Sequence, residues 1–309
     1  MNILFCHPGR ALLPELVAYK RYCADRGWAT KEVTYCELRK TDFSVVGVVW
    51  NIMGWHLPAE TYQHLRRNGC LYVKEYASLS VGRFAKLKNI AKSFPYQRAD
   101  VNVYLNELVY KEYSCVFKKT NVCFRDMAVT RAGIQKTKGP KLYDLVYVGA
   151  LDDDRDVASF INKLHAKIPG LKTVVVGEPS AAQRALLASN SGVTLVGRVE
   201  YEDVGRYIIS ARAGINYIPD KYPYNIQTST KFLEYLACGI PVLSNRYEWV
   251  STYKLANSST LLLVDDASDV EFHSLEKLFS TTVAEDVPLW SDVIDESNVF
   301  QTLEGLLSG

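Results

Sequence analysis

The feature that most constrains the fold of this chain is its regular alternation of apolar, strand-like segments with amphipathic, helix-like segments. In the first half, strands are predicted at residues 2–7, 30–37, 45–50, 71–73 and 101–105, with helices near 13–22, 58–67 and 83–92. Parallel strands need a long crossover, usually a helix, whereas antiparallel strands need only a short turn. The alternation therefore predicts an α/β domain with a parallel sheet and helices on both faces.

The same alternation restarts after an interruption at residues 131–142, which are rich in Gly, Lys and Pro and so predict a linker. Beyond it, strands are predicted at 144–149, 172–177, 193–197, 214–218, 240–244 and 260–264, and helices near 156–168, 180–190, 201–212, 229–238 and 247–256. We therefore expect a first domain at 1–135, a second at 136–285, and a helical tail at 286–309. Packing of the tail against the first domain is one possible arrangement.

Composition excludes several classes of protein. The 309 residues are 48% hydrophobic and 23% charged, as in ordinary globular proteins. No apolar run reaches the roughly 18 residues of a membrane span, and the strand-like start lacks a secretory signal pattern, so we expect a cytoplasmic protein. The seven cysteines form no C-x-x-C pair and the five histidines are dispersed, which predicts no metal site. The chain also lacks the G-x-G-x-x-G, P-loop and G-x-S-x-G motifs, which argues against a nicotinamide dehydrogenase, a P-loop NTPase and an α/β-hydrolase respectively.

Charge is distributed unevenly along the chain. Residues 1–140 contain 22 basic and 11 acidic residues, whereas 141–309 contain 14 and 23. A basic first half indicates an anionic partner for that half. Two solvated surfaces of different charge would produce the same numbers.

The stretch Thr228–Asn245 combines a polar helix start, a short helix, a glycine stop and an apolar strand. Lys231 falls in the first helical turn, where the positive end of the helix dipole normally disfavours a cation. Free N–H groups, hydroxyls and an ammonium at one helix start predict an anion site. The alternative is a surface helix in which Lys231 pairs with Glu234 three residues later.

In order and spacing, the second half resembles the donor domain of GT-B glycosyltransferases, in particular the retaining family 4 type (glycosyl transferases group 1). The segments that carry the resemblance are Tyr147–Leu151 followed by Arg155, Val174–Glu178, Val193–Val199, Ala213–Pro219, and K-x-x-E-Y-x-A-x-G-x-P-V from Lys231 to Val242. It implies an α/β protein of the GT-B fold, in which two Rossmann-like, doubly wound domains face a central cleft. It also implies a nucleotide-sugar donor and no metal cofactor.

The resemblance assigns roles to residues of this sequence. Lys231 and Arg155 would stabilise the leaving diphosphate, although Arg155 has Asp152–Asp154 as alternative partners. Glu234 would bind the ribose. The remaining donor-side candidates are Gly149 after the first strand, Arg198 and Val199 at the base, and Thr228, Ser229 and Thr230, which would cap the phosphates.

Two positions depart from the family pattern. Ala150 replaces an arginine that usually follows the first glycine, and Ile226 replaces a glutamate that faces the donor sugar. Tyr224, Asn225 and Gln227 are the possible replacements. The departures leave both the sugar and the stereochemistry of transfer open.

The first half resembles the acceptor domain in layout only. His7-Pro8-Gly9-Arg10 corresponds to the family's first glycine loop, which makes Gly9 a candidate at the phosphates. Glu75 and His56 both follow predicted strands and are candidates for the general base of an inverting enzyme. Alternatively, His56 packs in a loop with Trp55, and Glu75 pairs with Lys74 or Arg83.

These observations predict a glycosyltransferase that moves a sugar from a nucleotide-diphosphate sugar to a hydroxyl of a glycan or lipid-linked acceptor, in cell-surface polysaccharide or glycolipid synthesis. A catalytically silent nucleotide-binding subunit and a nucleotide-sugar epimerase of the same fold are the alternatives. The basic helix at 83–92, with Arg66, Arg67 and Arg98, is a candidate for docking on an anionic membrane. A sheet-covering helix with solvated lysines is the other interpretation. No nucleic-acid partner is expected.

Overall fold

A computed structural model describes residues 1–9, 13–94, 96–113, 120–130, 139–256, 258–284 and 286–309. Arg10, Cys115 and most of the predicted linker lie outside the described residues. The chain divides into two compact units. Unit 1 consists of Met1–Met127 together with Trp290–Gly309, and unit 2 consists of Ala128–Leu289.

Unit 1 is built on a six-stranded parallel sheet. Its elements before unit 2 are β1 (Asn2–His7), α1 (Pro14–Ala24), β2 (Ala29–Thr34), α2 (Tyr35–Leu38), β3 (Val48–Ile52), α3 (Ala59–Arg67), β4 (Leu71–Tyr76), α4 (Ala85–Ser93), β5 (Val101–Tyr104), α5 (Glu107–Tyr113) and β6 (Asn121–Phe124). The strand order is β2-β1-β3-β4-β5-β6, with every pair parallel.

Unit 2 repeats this architecture with a different strand order. Its elements are β7 (Tyr143–Val148), α6 (Val157–Lys167), β8 (Thr173–Val176), α7 (Ala181–Ala188), β9 (Val193–Gly197), α8 (Tyr201–Ile209), β10 (Ala211–Asn216), α9 (Thr230–Ala237), β11 (Val242–Asn245), α10 (Glu248–Thr252), β12 (Leu261–Val264) and α11 (Phe272–Phe279). The order β12-β11-β10-β7-β8-β9 reverses direction between β7 and β10. Open α/β sheets bind ligands at such a switch point, beyond the carboxyl ends of the strands.

The last residues of the chain form two helices of unit 1, α12 (Trp290–Glu296) and α13 (Val299–Ser308). Asn298, with φ of 54°, separates them. Phe300 enters the aromatic core of unit 1, where its ring stacks on Tyr22 at 4.8 Å between centroids. These residues are helical as predicted, but they form two helices with a break at Asn298 that the sequence pattern did not indicate.

The structure confirms an α/β protein with two parallel sheets and corrects some element boundaries. The strand predicted at 30–37 ends at Thr34, because Thr34 and Glu37 form a reciprocal capping box that begins α2. Three further elements, α5, β6 and α11, were not predicted. In the described part of the chain, no helix is both long and apolar enough to cross a membrane.

Candidate functional site

The carboxyl edge of the second sheet has a floor of glycine backbone. β7 is followed by Gly149, β8 by Gly177, and β9 ends at Gly197. Gly149 N donates to Val176 O at 3.0 Å, and Gly177 N donates to Gly197 O at 2.9 Å. A Cβ atom on Gly177 would lie 2.0 Å from Gly149 O, and φ of Gly177 is +144°. Only glycine fits this position, because the backbone that follows β7 approaches the backbone that follows β8 closely here.

We predict that Gly177→Ala lowers the free energy of unfolding by about 1–3 kcal/mol more than Gly170→Ala. Gly170 is a matched control, because its φ is also positive, at +88°, but a Cβ there meets no atom within 4 Å. The difference between the two variants isolates the collision with Gly149 from the cost of the backbone conformation. Urea unfolding of both variants measures it, and equal losses would contradict the close approach.

Tyr235 separates the ends of β7 and β10 at the switch point. The register of this strand pair runs only to Gly214 and Val146. Beyond it, the Tyr235 hydroxyl accepts a hydrogen bond from Val148 N at 2.9 Å and donates to Ile215 O at 3.2 Å. A Cβ on Gly214 would lie 2.2 Å from the Tyr235 ring, so this glycine makes room for the phenol. Tyr235 is part of the motif from Lys231 to Val242, but the sequence alone assigns it no role.

The start of α9 is held from beneath by buried polar side chains. Ser229 is the N-cap residue, but its hydroxyl does not cap the helix. It donates instead to Asn216 Oδ1 at 2.7 Å. The Asn216 amide donates in turn to Ser244 Oγ at 2.9 Å and to the Tyr247 hydroxyl at 3.1 Å. The first-turn N–H groups of α9 therefore donate no hydrogen bond to the Ser229 hydroxyl. The buried hydrogen bonds of Ser229 and Asn216 instead fix the position of the helix start.

Lys231 lies directly over the glycine floor. Its Cε atom is 3.3 Å from the position that a Cβ on Gly149 would occupy. Its ammonium lies 5.3 Å from the centroid of the Tyr147 ring. Burial, reinforced by the positive charge of Arg155, lowers the pKa of Lys231 to about 7, while Glu234 and Asp152 act in the opposite direction. The environment thus disfavours the charged ammonium and would favour it again on arrival of an anion.

Arg155 belongs to the same cluster. Its guanidinium lies 5.5 Å from the centroid of the Tyr224 ring and 3.5 Å from Asp152 Oδ2. The prediction of a partner among Asp152–Asp154 is thus met by Asp152, at a distance typical of a loose ion pair. Arg155 also raises the electrostatic cost of charging Lys231. Two cations that repel each other beside a helix start create an environment suited to a bound anion.

Glu234 has partners different from those of Lys231. Its Oε1 atom accepts a hydrogen bond from the Tyr201 hydroxyl at 3.2 Å. Both side chains line a small cavity with Val129, Thr130, Val204, Ile208 and Ala237. Burial raises the pKa of Glu234 to about 7. A carboxylate in such a cavity can accept hydrogen bonds from hydroxyl groups.

The other donor-side candidates follow the strands around this cluster. Arg198 is exposed and Val199 half-buried, directly after β9. Tyr224 lies in a turn of 3-10 helix with Asn225 and Ile226, and Thr228 and Thr230 are half-buried near the start of α9. Within the described residues, no group of three or more His, Cys, Asp or Glu side chains is arranged to hold a metal ion.

Comparisons with known proteins agree with this geometry. Residues 143–274 match the family described as Glycosyl transferases group 1. The chain carries a glycosyl transferases group 1 domain. A comparison with curated protein sequences gives no match. The recognition of a GT-B glycosyltransferase from sequence is confirmed, as is the prediction of a transferase enzyme that acts on sugars.

Solved structures match the fold across both units at low sequence identity. A sucrose-phosphate synthase from Thermosynechococcus elongatus is 14% identical with a TM-score of 0.70, and the match covers 99% of this chain and 97% of that one. HepE from Anabaena, in complex with UDP and glucose, is 8% identical with a TM-score of 0.63 over 100% and 98%. A glycosyltransferase from Rickettsia africae is 11% identical with a TM-score of 0.64 over 99% and 97%.

In unit 1 of this glycosyltransferase, Glu75 is inside the protein and both carboxylate oxygens are engaged. One oxygen forms an ion pair with Arg125 and the other accepts from Trp50 Nε1 at 2.6 Å. Tyr19 also donates to the first oxygen, at 3.3 Å. The Glu75 and Arg125 side chains are both fully buried. The structure thus places Glu75 in a core ion pair whose partner is neither Lys74 nor Arg83.

His56 and Gly9 lie elsewhere in unit 1. His56 Nε2 contacts Ala91 O at 2.9 Å, and its Nδ1 is 3.5 Å from Lys74 Nζ. Burial and the Lys74 charge lower the pKa of His56. Since Lys74 and Glu75 are successive residues of β4, His56 and Glu75 are associated with opposite faces of the sheet. Gly9 is exposed with φ of +79°, and its N–H donates to His7 Nδ1 at 3.0 Å.

Proposed function

We propose that this chain transfers a sugar from a nucleotide-diphosphate sugar to a hydroxyl of a glycan or lipid-linked acceptor, in the synthesis of a cell-surface polysaccharide or glycolipid. The observation that carries the proposal is the pair of cations, Lys231 and Arg155, beside the glycine backbone at the switch point of unit 2. We further propose that the enzyme works at the cytosolic face of a membrane and requires no resident metal.

The chemistry of the leaving group explains why this arrangement suits the reaction. As the bond between the anomeric carbon and the diphosphate oxygen breaks, negative charge develops on the departing phosphate. Preorganised cations and helix N–H groups stabilise such charge more in the transition state than in the ground state. We assign this role to Lys231, Arg155 and the first turn of α9, with Gly149 permitting close approach.

The nucleoside is assigned to neighbouring residues. Glu234 would accept hydrogen bonds from the ribose hydroxyls, and the Arg198–Val199 segment would contact the base. For the sugar, Asn225 is the best supported of the three replacement candidates. Its Oδ1 atom is buried and lacks a hydrogen-bond partner in the described part of the protein, while its Nδ2 donates to Asp220 Oδ1 at 3.2 Å. Unsatisfied buried acceptors are costly, and a sugar hydroxyl would supply the missing donor.

On the acceptor side, His56 of unit 1 remains the candidate for the general base. Glu75 is unsuited to proton transfer, because its carboxylate is committed to Arg125 and Trp50. Glu75 therefore gives no support to an inverting mechanism, and we propose neither inversion nor retention.

A thermal-shift series with UDP, GDP, dTDP, ADP, CMP and their sugars tests the proposal. A ligand at a hundred times its Kd stabilises the folded state by about 2.7 kcal/mol, so the preferred nucleotide raises Tm by several degrees. The complexes of HepE with UDP and UDP-glucose make uracil the first base to test. A response to no nucleotide would contradict the proposal. Binding without transfer would indicate a silent subunit, and donor conversion without acceptor would indicate an epimerase.

A further inference from the structure

Helix α4 of unit 1 has its apolar face towards solvent. The residues that face the protein are polar, since Asn89, Lys92 and Ser93 are only 2–3% exposed. The apolar residues face outwards, with Phe84, Leu87, Ile90 and Phe94 each between 54% and 63% exposed. The spacing of Leu87, Ile90 and Phe94 aligns them on one side of the helix. This is the reverse of a sheet-covering helix, which was one interpretation of its sequence.

Polar contacts from the inner face hold the helix in this orientation. Asn89 Oδ1 accepts hydrogen bonds from Ser80 N at 2.9 Å and from the Tyr113 hydroxyl at 3.2 Å. Lys92 O accepts from Lys74 Nζ at 2.7 Å. The Lys92 ammonium lies 4.8 Å from the centroid of the Trp55 ring. Turning the apolar side inwards would break these contacts and expose their buried partners.

The exposed apolar surface extends beyond the helix and is surrounded by positive charge. Val81 and Tyr96, on either side of α4, are 47% and 61% exposed. Residues 76–99 contain no acidic side chain, and four of their five basic side chains are exposed, namely Arg83, Lys86, Lys88 and Arg98. Lys86 and Lys88 flank the apolar stripe on its two sides, as expected for positions adjacent to Leu87 at 100° per residue.

We infer that α4, with Val81 and Tyr96, docks on an anionic lipid bilayer, with its apolar side among the acyl chains and its basic side chains at the headgroups. An apolar stripe bordered by lysine and arginine is the pattern of helices that lie in a membrane interface. The helix has nine residues and rises only about 14 Å, so it lies on the bilayer and does not cross it. A second copy of the chain is a poorer partner, because the same positive charge would face itself.

This inference deepens the membrane part of the proposed function, and its test needs no sugar donor. Co-sedimentation of the full chain with vesicles of phosphatidylcholine and phosphatidylglycerol measures the partition coefficient. We expect Leu87→Glu/Ile90→Glu to lower it by at least about tenfold. The matched control is Val17→Glu/Val45→Glu, which alters two exposed apolar residues elsewhere in unit 1, 57% and 70% exposed, and leaves binding unchanged. An unaltered far-UV circular dichroism spectrum and an unaltered thermal melt show that each variant is folded.

The charge component is tested separately. Arg83→Gln/Lys88→Gln lowers partitioning by about twenty-fivefold, since each basic residue contributes about fivefold near an anionic surface. Lys31→Gln/Lys40→Gln, two exposed basic residues in β2 and just after α2, is the control. The inference is overturned if the wild type stays in solution, binds pure phosphatidylcholine equally well, or forms a dimer that Leu87→Glu/Ile90→Glu disrupts. If the protein does not bind vesicles but still transfers sugar, the membrane inference is rejected and the proposed sugar transfer stands.

Discussion

Replacing Lys231 with alanine lowers the turnover number of sugar transfer by about a hundredfold or more, while the protein stays folded. A single preorganised donor to a developing anion is worth about 10²–10³ in kcat, and Lys231 lies beside Gly149, where a bound diphosphate would restore its full charge. The side chain makes little contribution to the stability of the ligand-free protein, since burial and Arg155 oppose its charge. Steady-state kinetics and a thermal melt of the same preparation measure the two effects.

The pH dependence of the ligand-free protein gives this prediction a second readout. The pKa of Lys231 is about 7 in the folded state and is lowered from 10.5. Between these values the unfolded chain holds one more proton at this site, so the Lys231 contribution makes stability rise with pH. A bound diphosphate raises the pKa again, so nucleotide binding at pH 8 takes up a proton. Calorimetry in buffers of different ionisation enthalpy detects this uptake, and Lys231→Met abolishes it.

Lys172→Ala is the matched control for Lys231→Ala. Lys172 is an exposed lysine of unit 2 that directly precedes β8, at the amino edge of the sheet. We expect its removal to leave turnover and nucleotide binding unchanged. Near-normal turnover of purified Lys231→Ala would show that the start of α9 is not the phosphate site.

The sequence predicts unit 2 well because its signals are local. The capping residues, the glycine stop and the apolar strand from Thr228 to Asn245 placed Lys231 at a helix start, and α9 begins at Thr230. The role of Tyr235 was not predictable in this way. Its hydroxyl joins two strands that are about seventy residues apart in sequence, and only the tertiary structure brings them together.

Two other results depended on information that the sequence pattern lacks. Residues 71–73 were predicted as a strand, which placed Glu75 just after it and made it a candidate base. Because β4 continues to Tyr76, Glu75 lies within the sheet and faces the core. For α4, the amphipathic pattern defined two faces but did not say which one is buried. That choice is made by the partners of Asn89 and Lys92, which come from β4, α5 and the loops around them.

Glu75→Ala lowers the free energy of unfolding by about 3–5 kcal/mol, the range for breaking a buried ion pair. The substitution leaves the Arg125 guanidinium buried without its carboxylate and removes the acceptor of Trp50 Nε1. Charged and polar groups that lose their partners away from water carry a large desolvation cost. Urea unfolding measures the loss, and Glu60→Ala, which removes an exposed glutamate of α3, is expected to have little effect.

A structural role and a catalytic role for Glu75 predict different results for further variants. If Glu75 acts only through the core, then Glu75→Leu/Arg125→Leu is more stable than Glu75→Leu alone, because both charges are removed together. Glu75→Gln then keeps normal turnover per folded molecule, and its pH–rate profile matches that of the wild type. If Glu75 is the general base, Glu75→Gln lowers kcat at full folding and removes the acidic limb of that profile. The ion pair with Arg125 leads us to expect the first outcome.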